Sequence, residues 1–145
     1  MKRLSGLLIL IFFLSTNVSA QSSKWQSAFN TAKAEAQAQN KMILVYFTDN
    51  DSKSDEKVLY RQFWSSSTFK SMASNYVILN LKVSKERKNK ANEDIYEARL
   101  KKNFNNQDKY PMVVLADALG NRTGISLSEI SEVAINEFLT KLQSH

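Results

Sequence analysis

The sequence predicts an α/β domain in which four strands are flanked by helices and the first element is an amphipathic helix. Three observations carry that expectation. Short apolar runs rich in strand formers, Met42 to Phe47, Tyr76 to Val83 and Met112 to Leu115, alternate with stretches whose apolar residues recur every three or four positions. A turn-forming segment, Asp117-Ala118-Leu119-Gly120, follows the third run and points to a hairpin. There is no cysteine in 145 residues, so the fold must be held by an apolar core rather than by disulfides or thiolate metal sites.

The first twenty residues set the expected compartment. Lys2 and Arg3 precede the apolar run from Leu7 to Leu14, and Val18-Ser19-Ala20 offers small residues to a signal peptidase, so residues 1–20 read as a cleaved secretory signal. The run is shorter than the roughly 20 residues that span a bilayer, and no later segment is apolar enough to stop transfer. The expectation is a periplasmic or secreted protein without stable membrane anchoring, folded as a single domain over residues 21–145.

Trp25, Ala28, Phe29, Ala32 and Ala36 share one helical face, which predicts a helix over residues 24–39 that stops at Asn40. Met42 to Phe47 is a continuous apolar run, as in a central strand covered on both faces. Ser52 and Ser54 can each cap the next helix, Asp55 and Glu56 suit its N-terminal end, and Val58, Leu59 and Phe63 carry it to Trp64. Ser65-Ser66-Ser67 then interrupts, and Thr68 is expected to cap a further turn. After the second strand comes a basic loop, then a helix bearing Ile95, Tyr96, Leu100 and Phe104. Pro111 opens the third strand, the fourth lies near Arg122 to Ile125, and Ser128 begins a helix whose Ile130, Val133, Ala134, Phe138 and Leu142 form one stripe.

Lys2 and Arg3 leave with the signal, so the formal charge falls from +6 to +4, with 18 basic against 14 acidic residues. The excess gathers in Lys82, Lys85, Arg87, Lys88 and Lys90, with Arg99, Lys101 and Lys102 beyond. Export and the lack of interleaved aromatic residues argue against a nucleic-acid partner, and the run reads first as a solvated loop.

The ordered pieces resemble the thioredoxin-like family, in particular its exported bacterial members. The residues that carry the likeness are Trp25 with Ala28-Phe29, Asn40-Lys41 with Ile43-Leu44-Val45-Tyr46-Phe47, and Tyr110-Pro111 with Val114, Asp117 and Gly120; together they span residues 24–143. The resemblance implies a thioredoxin-like fold, a central mixed four-stranded sheet flanked by helices. It also implies a departure. Counting forward from Phe47 puts Asp51 on the family's aspartate, Lys53 on its first redox cysteine and Glu56 on its second, so thiol–disulfide exchange does not carry over. In relatives the proline before the third strand is cis and the preceding backbone pairs with an extended peptide; here Pro111 would be that proline and Tyr110 the preceding residue. From the residues alone, base rates for X-Pro bonds favour a Pro111 that begins the strand in trans; the resemblance reverses that.

Other chemistries find little support. The single histidine, His145, stands at the end of the sequence, which argues against a serine triad. Asp49, Asp51 and Asp55 alternate like a calcium loop, but Lys53 takes the fifth position, no glycine stands at the sixth, and Tyr60 replaces the twelfth-position glutamate. No zinc cluster or glycine-rich phosphate loop is present, and no cofactor or metal is expected. Asn121-Arg122-Thr123 is a formal glycosylation sequon read as chance. Two classes of function remain, and neither is enzymatic. One is a binding module that engages a protein or peptide partner through a groove formed by Asp51, Lys53, Ser54, Glu56, Tyr110 and Pro111. The other is a dedicated partner of one protein, an immunity factor or assembly subunit, using another surface such as the basic loop.

Overall fold

The computed structural model describes residues 25–83 and 91–145, with backbone alone for 91–97. The expected signal segment and basic-loop residues Lys85, Arg87, Lys88 and Lys90 lie outside the described residues, as do the side chains of Ile95 and Tyr96. The elements run α1 (Phe29–Gln39), β1 (Met42–Thr48), α2 (Lys53–Leu59), α3 (Ser67–Met72), β2 (Tyr76–Lys82), α4 (Ala91–Phe104), β3 (Met112–Ala116), β4 (Arg122–Leu127) and α5 (Glu132–Gln143). No described helix is long and apolar enough to cross a membrane.

The sheet order is β2-β1-β3-β4. β1 runs parallel to β2 and antiparallel to β3, and β3 and β4 close a hairpin, so the sheet is mixed. The continuous apolar run of β1 is explained by its place: residues Ile43 to Thr48 are all buried, because both faces of the sheet are covered. Leu44 and Tyr46 point to one face with Phe63, Trp64, Phe69 and Phe138. Ile43, Val45 and Phe47 point to the other with Phe29, Ala32, Leu100 and Phe104.

α1 starts at Phe29, four residues after Trp25, and not at residue 24 as the spacing predicts. The reason lies at the edge of the sheet. Gln26 donates its N–H to the Ile78 carbonyl (2.8 Å) and accepts from Asn80 N–H (2.9 Å), an extended pairing with β2 that a helix through this residue would forfeit. Asn40 does end the helix, in the left-handed conformation (φ 51°).

α2 continues into a π-helical turn, Tyr60–Trp64, closed by Ser65 N–H on the Tyr60 carbonyl at 2.9 Å. In an uninterrupted α-helix Trp64 would turn away from the face that Leu59 buries. The wider turn keeps Leu59, Phe63 and Trp64 buried together. Caps differ from expectation in two places. Ser66, not Thr68, caps α3 by accepting from Phe69 N–H at 3.1 Å, and Thr68 lies inside the helix. Ser131, not Ser128, caps α5 by accepting from Ala134 N–H at 3.2 Å. That shift leaves Ile130 before the helix and turns Val133 outward, 68% exposed, so the buried stripe is Ile135, Phe138, Leu139 and Leu142. β4 runs two residues beyond Ile125, because buried Leu127 pairs with Val113.

Candidate functional site

β1 and β3 are antiparallel, and their pairing ends at Phe47↔Met112. Beyond that pair one chain enters the turn that leads to α2, and the other is Pro111 preceded by Tyr110. The register therefore sets Tyr110 and Pro111 alongside the segment from Thr48 toward α2. The Tyr110-Pro111 peptide is cis. Among the described residues, the Tyr110 N–H and C=O have no backbone hydrogen-bond partner. Pro111 is buried, whereas Tyr110 is half-buried with its ring against the cluster that holds Phe104 and Met112.

On the α2 side the turn is organised by Asp49. Its Oδ1 accepts from Asp51 N–H (3.1 Å), Ser52 N–H (2.9 Å) and the Ser52 hydroxyl. This local chemistry answers the alternating aspartates: Asp49 folds the entry to the helix as an Asx turn. Among the described residues no group of three or more His, Cys, Asp or Glu is placed to hold a metal ion. Ser52 occupies the N-cap of α2 but makes no side-chain bond to a helix N–H; its hydroxyl goes to Asp49 and lies 3.4 Å from Glu56 Oε1. Ser54 is an exposed residue inside the helix and not a cap. Lys53 begins the helix in an exposed position, and Glu56 is half-buried one turn on.

The charge of Glu56 is felt by a residue that sequence reading assigned only to the core. Burial pushes the Tyr46 hydroxyl pKa well above its ordinary 10.0, and the negative charge of Glu56 adds to the rise, while the Trp64 indole partly opposes it. Tyr46, Trp64 and Trp25 form one aromatic group: Trp25 is centred 4.8 Å from Trp64 and 5.8 Å from Tyr46, and Tyr46 lies 5.3 Å from Trp64. The carboxylate at the expected second-cysteine position therefore acts on the Tyr46 hydroxyl through its charge. Only the odd–even alternation of β1 hinted that Tyr46 faces this side.

The Tyr110 side has its own charged group. Asp108 pairs with the Lys101 ammonium, and the Tyr110 hydroxyl lies 3.5 Å from Asp108 Oδ1, the outer limit of a hydrogen bond. The bond to Asp108 holds the Lys101 pKa above its ordinary value. Burial raises the Tyr110 hydroxyl's, against the pull of Lys101. Among the described residues no hydrogen bond or ion pair joins Lys53, Ser54 or Glu56 to Tyr110; only strand register relates the two segments.

Residues 24–118 match the family described as thioredoxin-like. The chain belongs to the thioredoxin-like family. Among solved structures, an oxidoreductase named DsbH is similar with a TM-score of 0.62 at 19% identity, covering 83% of this chain and 82% of its own. A thioredoxin from Thermus thermophilus gives a TM-score of 0.57 at 14% identity, covering 83% and 88%. A disulphide isomerase from Xylella fastidiosa Temecula1 gives 0.50 at 17%, covering 79% and 87%. At these identities the likeness is one of fold. No match was found among curated proteins. This thioredoxin-like domain contains no cysteine anywhere, so it cannot itself supply the thiolate that disulfide exchange requires.

Proposed function

We propose that this thioredoxin-like domain is an exported, non-catalytic binding module that holds an extended segment of a protein partner along the Tyr110 backbone, beside the start of α2. The observation that carries the reading is that, among the described residues, the N–H and C=O of Tyr110, just before β3 begins, have no backbone partner. An extended segment pairs with such an edge through main-chain hydrogen bonds, while neighbouring side chains select among sequences. Asp51, Lys53, Ser54 and Glu56 would form the opposite wall, with polar and charged groups where a redox enzyme of this fold carries thiols.

A photo-reactive amino acid at position 110, in the full mature chain, should crosslink to captured polypeptides in an envelope extract. The same group at exposed Lys141 on α5 should not. Equal or stronger crosslinking from position 141 would sink the reading. Export is checked on the same preparation by mass spectrometry: the N-terminus should be Gln21 or its cyclised form, and an intact Met1 would contradict it.

A further inference from the structure

Asn105 directly follows the last residue of α4 and is only 1% exposed, one of two polar residues buried among those described. Each of its four polar groups is bonded, one to the last turn of α4 and three across the loop that leads to Tyr110. Its N–H donates to the Lys101 carbonyl (2.7 Å), and its carbonyl accepts from Asp108 N–H (3.2 Å). Its side-chain Nδ2 donates to the Lys109 carbonyl (2.7 Å), while Oδ1 accepts from Lys109 N–H (3.0 Å). A carboxamide is the one side-chain type of this length that offers a donor and an acceptor in one plane, matched here to both polar groups of a single backbone residue. The loop is thus a closed ring of five residues, turned at Asp108 with φ 55° and pinned outside by the Lys101–Asp108 ion pair.

The residue after Lys109 is Tyr110. We infer that Asn105 is a positioning residue: by fixing both the N–H and the C=O of Lys109, it sets the direction in which Tyr110 enters β3 and so aims the Tyr110 backbone. This deepens the binding reading above and rests on it for its purpose. The positioning itself is a statement about Lys109 and Tyr110, and can be measured without any ligand. A role in overall stability alone would loosen all core amides together. Positioning loosens the Lys109 amide selectively and moves Tyr110.

The test compares amide hydrogen exchange by NMR in the mature chain and in Asn105→Ala and Asn105→Asp. In Asn105→Ala, exchange at Lys109 should quicken by at least about tenfold relative to amides of β1 and α5, and the Tyr110 resonances should shift. Asn105→Asp keeps the acceptor for Lys109 N–H but loses the donor to its carbonyl. It should therefore retain much of the Lys109 protection while still shifting Tyr110, and it serves as the second variant if alanine prevents folding. Reduced, carboxymethylated lactalbumin then serves as an extended-polypeptide probe. Its affinity should fall about tenfold in Asn105→Ala, at a temperature where the variant is fully folded, and recover in part in Asn105→Asp. Unchanged Lys109 exchange, or a uniform rise across all amides, overturns the inference. If the unmodified protein fails to bind the probe while Lys109 exchange responds as stated, the binding reading falls and the positioning of Tyr110 by Asn105 stands.

Discussion

The ring of Trp25 lies 4.8 Å, centre to centre, from the buried ring of Trp64, and the next residue, Gln26, is stitched by two backbone hydrogen bonds to β2. The segment before α1 is thereby held to the sheet edge at Gln26 and to the aromatic group at Trp25, whose ring also meets Tyr46 at 5.8 Å. Trp25→Ala should lower the unfolding free energy by about 2–3 kcal/mol, less than for a fully buried tryptophan because the ring remains 37% exposed. Urea unfolding followed by far-UV circular dichroism measures it; a loss below about 0.5 kcal/mol, the range of ordinary surface changes, would show that the ring contributes no packing.

Gly120 and Gly124 make a paired test of close approach. Both have positive φ, 86° and 87°. A Cβ on Gly120 would come within 2.7 Å of Phe29 Cζ, whereas one on Gly124 would meet nothing within 4 Å. Gly124→Ala should cost about 1–2 kcal/mol, the price of a left-handed residue bearing a side chain. Gly120→Ala carries that same penalty and must also displace the Phe29 ring, so its thermal midpoint should fall further than that of Gly124→Ala. Equal losses would mean that Phe29 swings aside freely.

The fold was legible because its strongest signals are local. The runs at β1, β2 and β3 are continuous and apolar, and a strand covered on both faces needs no more subtle pattern. What escaped depended on partners distant in sequence. Trp25 has helical spacing with Phe29, and nothing in that spacing reveals the open edge of β2 that draws Gln26 into an extended bond. In the runs Ser65-Ser66-Ser67 and Ser128 to Ser131, several hydroxyls suit a cap, and tertiary packing chooses among them. Asn105 sits in the polar stretch Phe104-Asn105-Asn106-Gln107-Asp108-Lys109, where burial of one amide leaves no mark on composition. The start of α2 was also legible: it begins at Lys53, directly after Ser52, one of the two serines expected to cap it.

Tyr46 and Tyr76 make stability depend on pH at the alkaline end. Burial is the first cause of the raised pKa in both, and the Tyr76 hydroxyl also donates to the Leu142 carbonyl at 2.9 Å. A pKa raised by folding means that the native state holds its proton more tightly than the unfolded chain. The contribution is full below the ordinary tyrosine value of 10.0 and is lost as pH climbs from there toward the folded value. The domain should therefore lose stability between pH 9 and pH 11, and Tyr46→Phe should lose less over that interval than the unmodified chain. Chemical unfolding at the two pH values measures the difference; parallel losses would show that Tyr46 does not titrate with unfolding. At pH 7 Tyr76→Phe should cost about 1 kcal/mol for the bond to Leu142.

Lys53 and Glu56 stand one helical turn apart at the start of α2, the first exposed and the second half-buried. Residues three apart on a helix are surface neighbours, and a disulfide needs Cα atoms about 4.4–6.8 Å apart, so the two positions can be bridged with little movement. The unmodified chain should show no insulin reduction. Lys53→Cys combined with Glu56→Cys should form an intramolecular disulfide under mild oxidant, seen as a mass lower by two hydrogens and as resistance to alkylation. The new thiol at position 53 would lie in the first turn of the helix, where the positive end lowers thiol pKa. Its alkylation rate should accordingly exceed that of a cysteine placed at exposed Lys141 in the last turn of α5, where the helix end is negative. A folded double variant that stays reduced under oxidant would show that Lys53 and Glu56 are not the redox positions of the family, and with them would go the wall that the binding reading places opposite Tyr110.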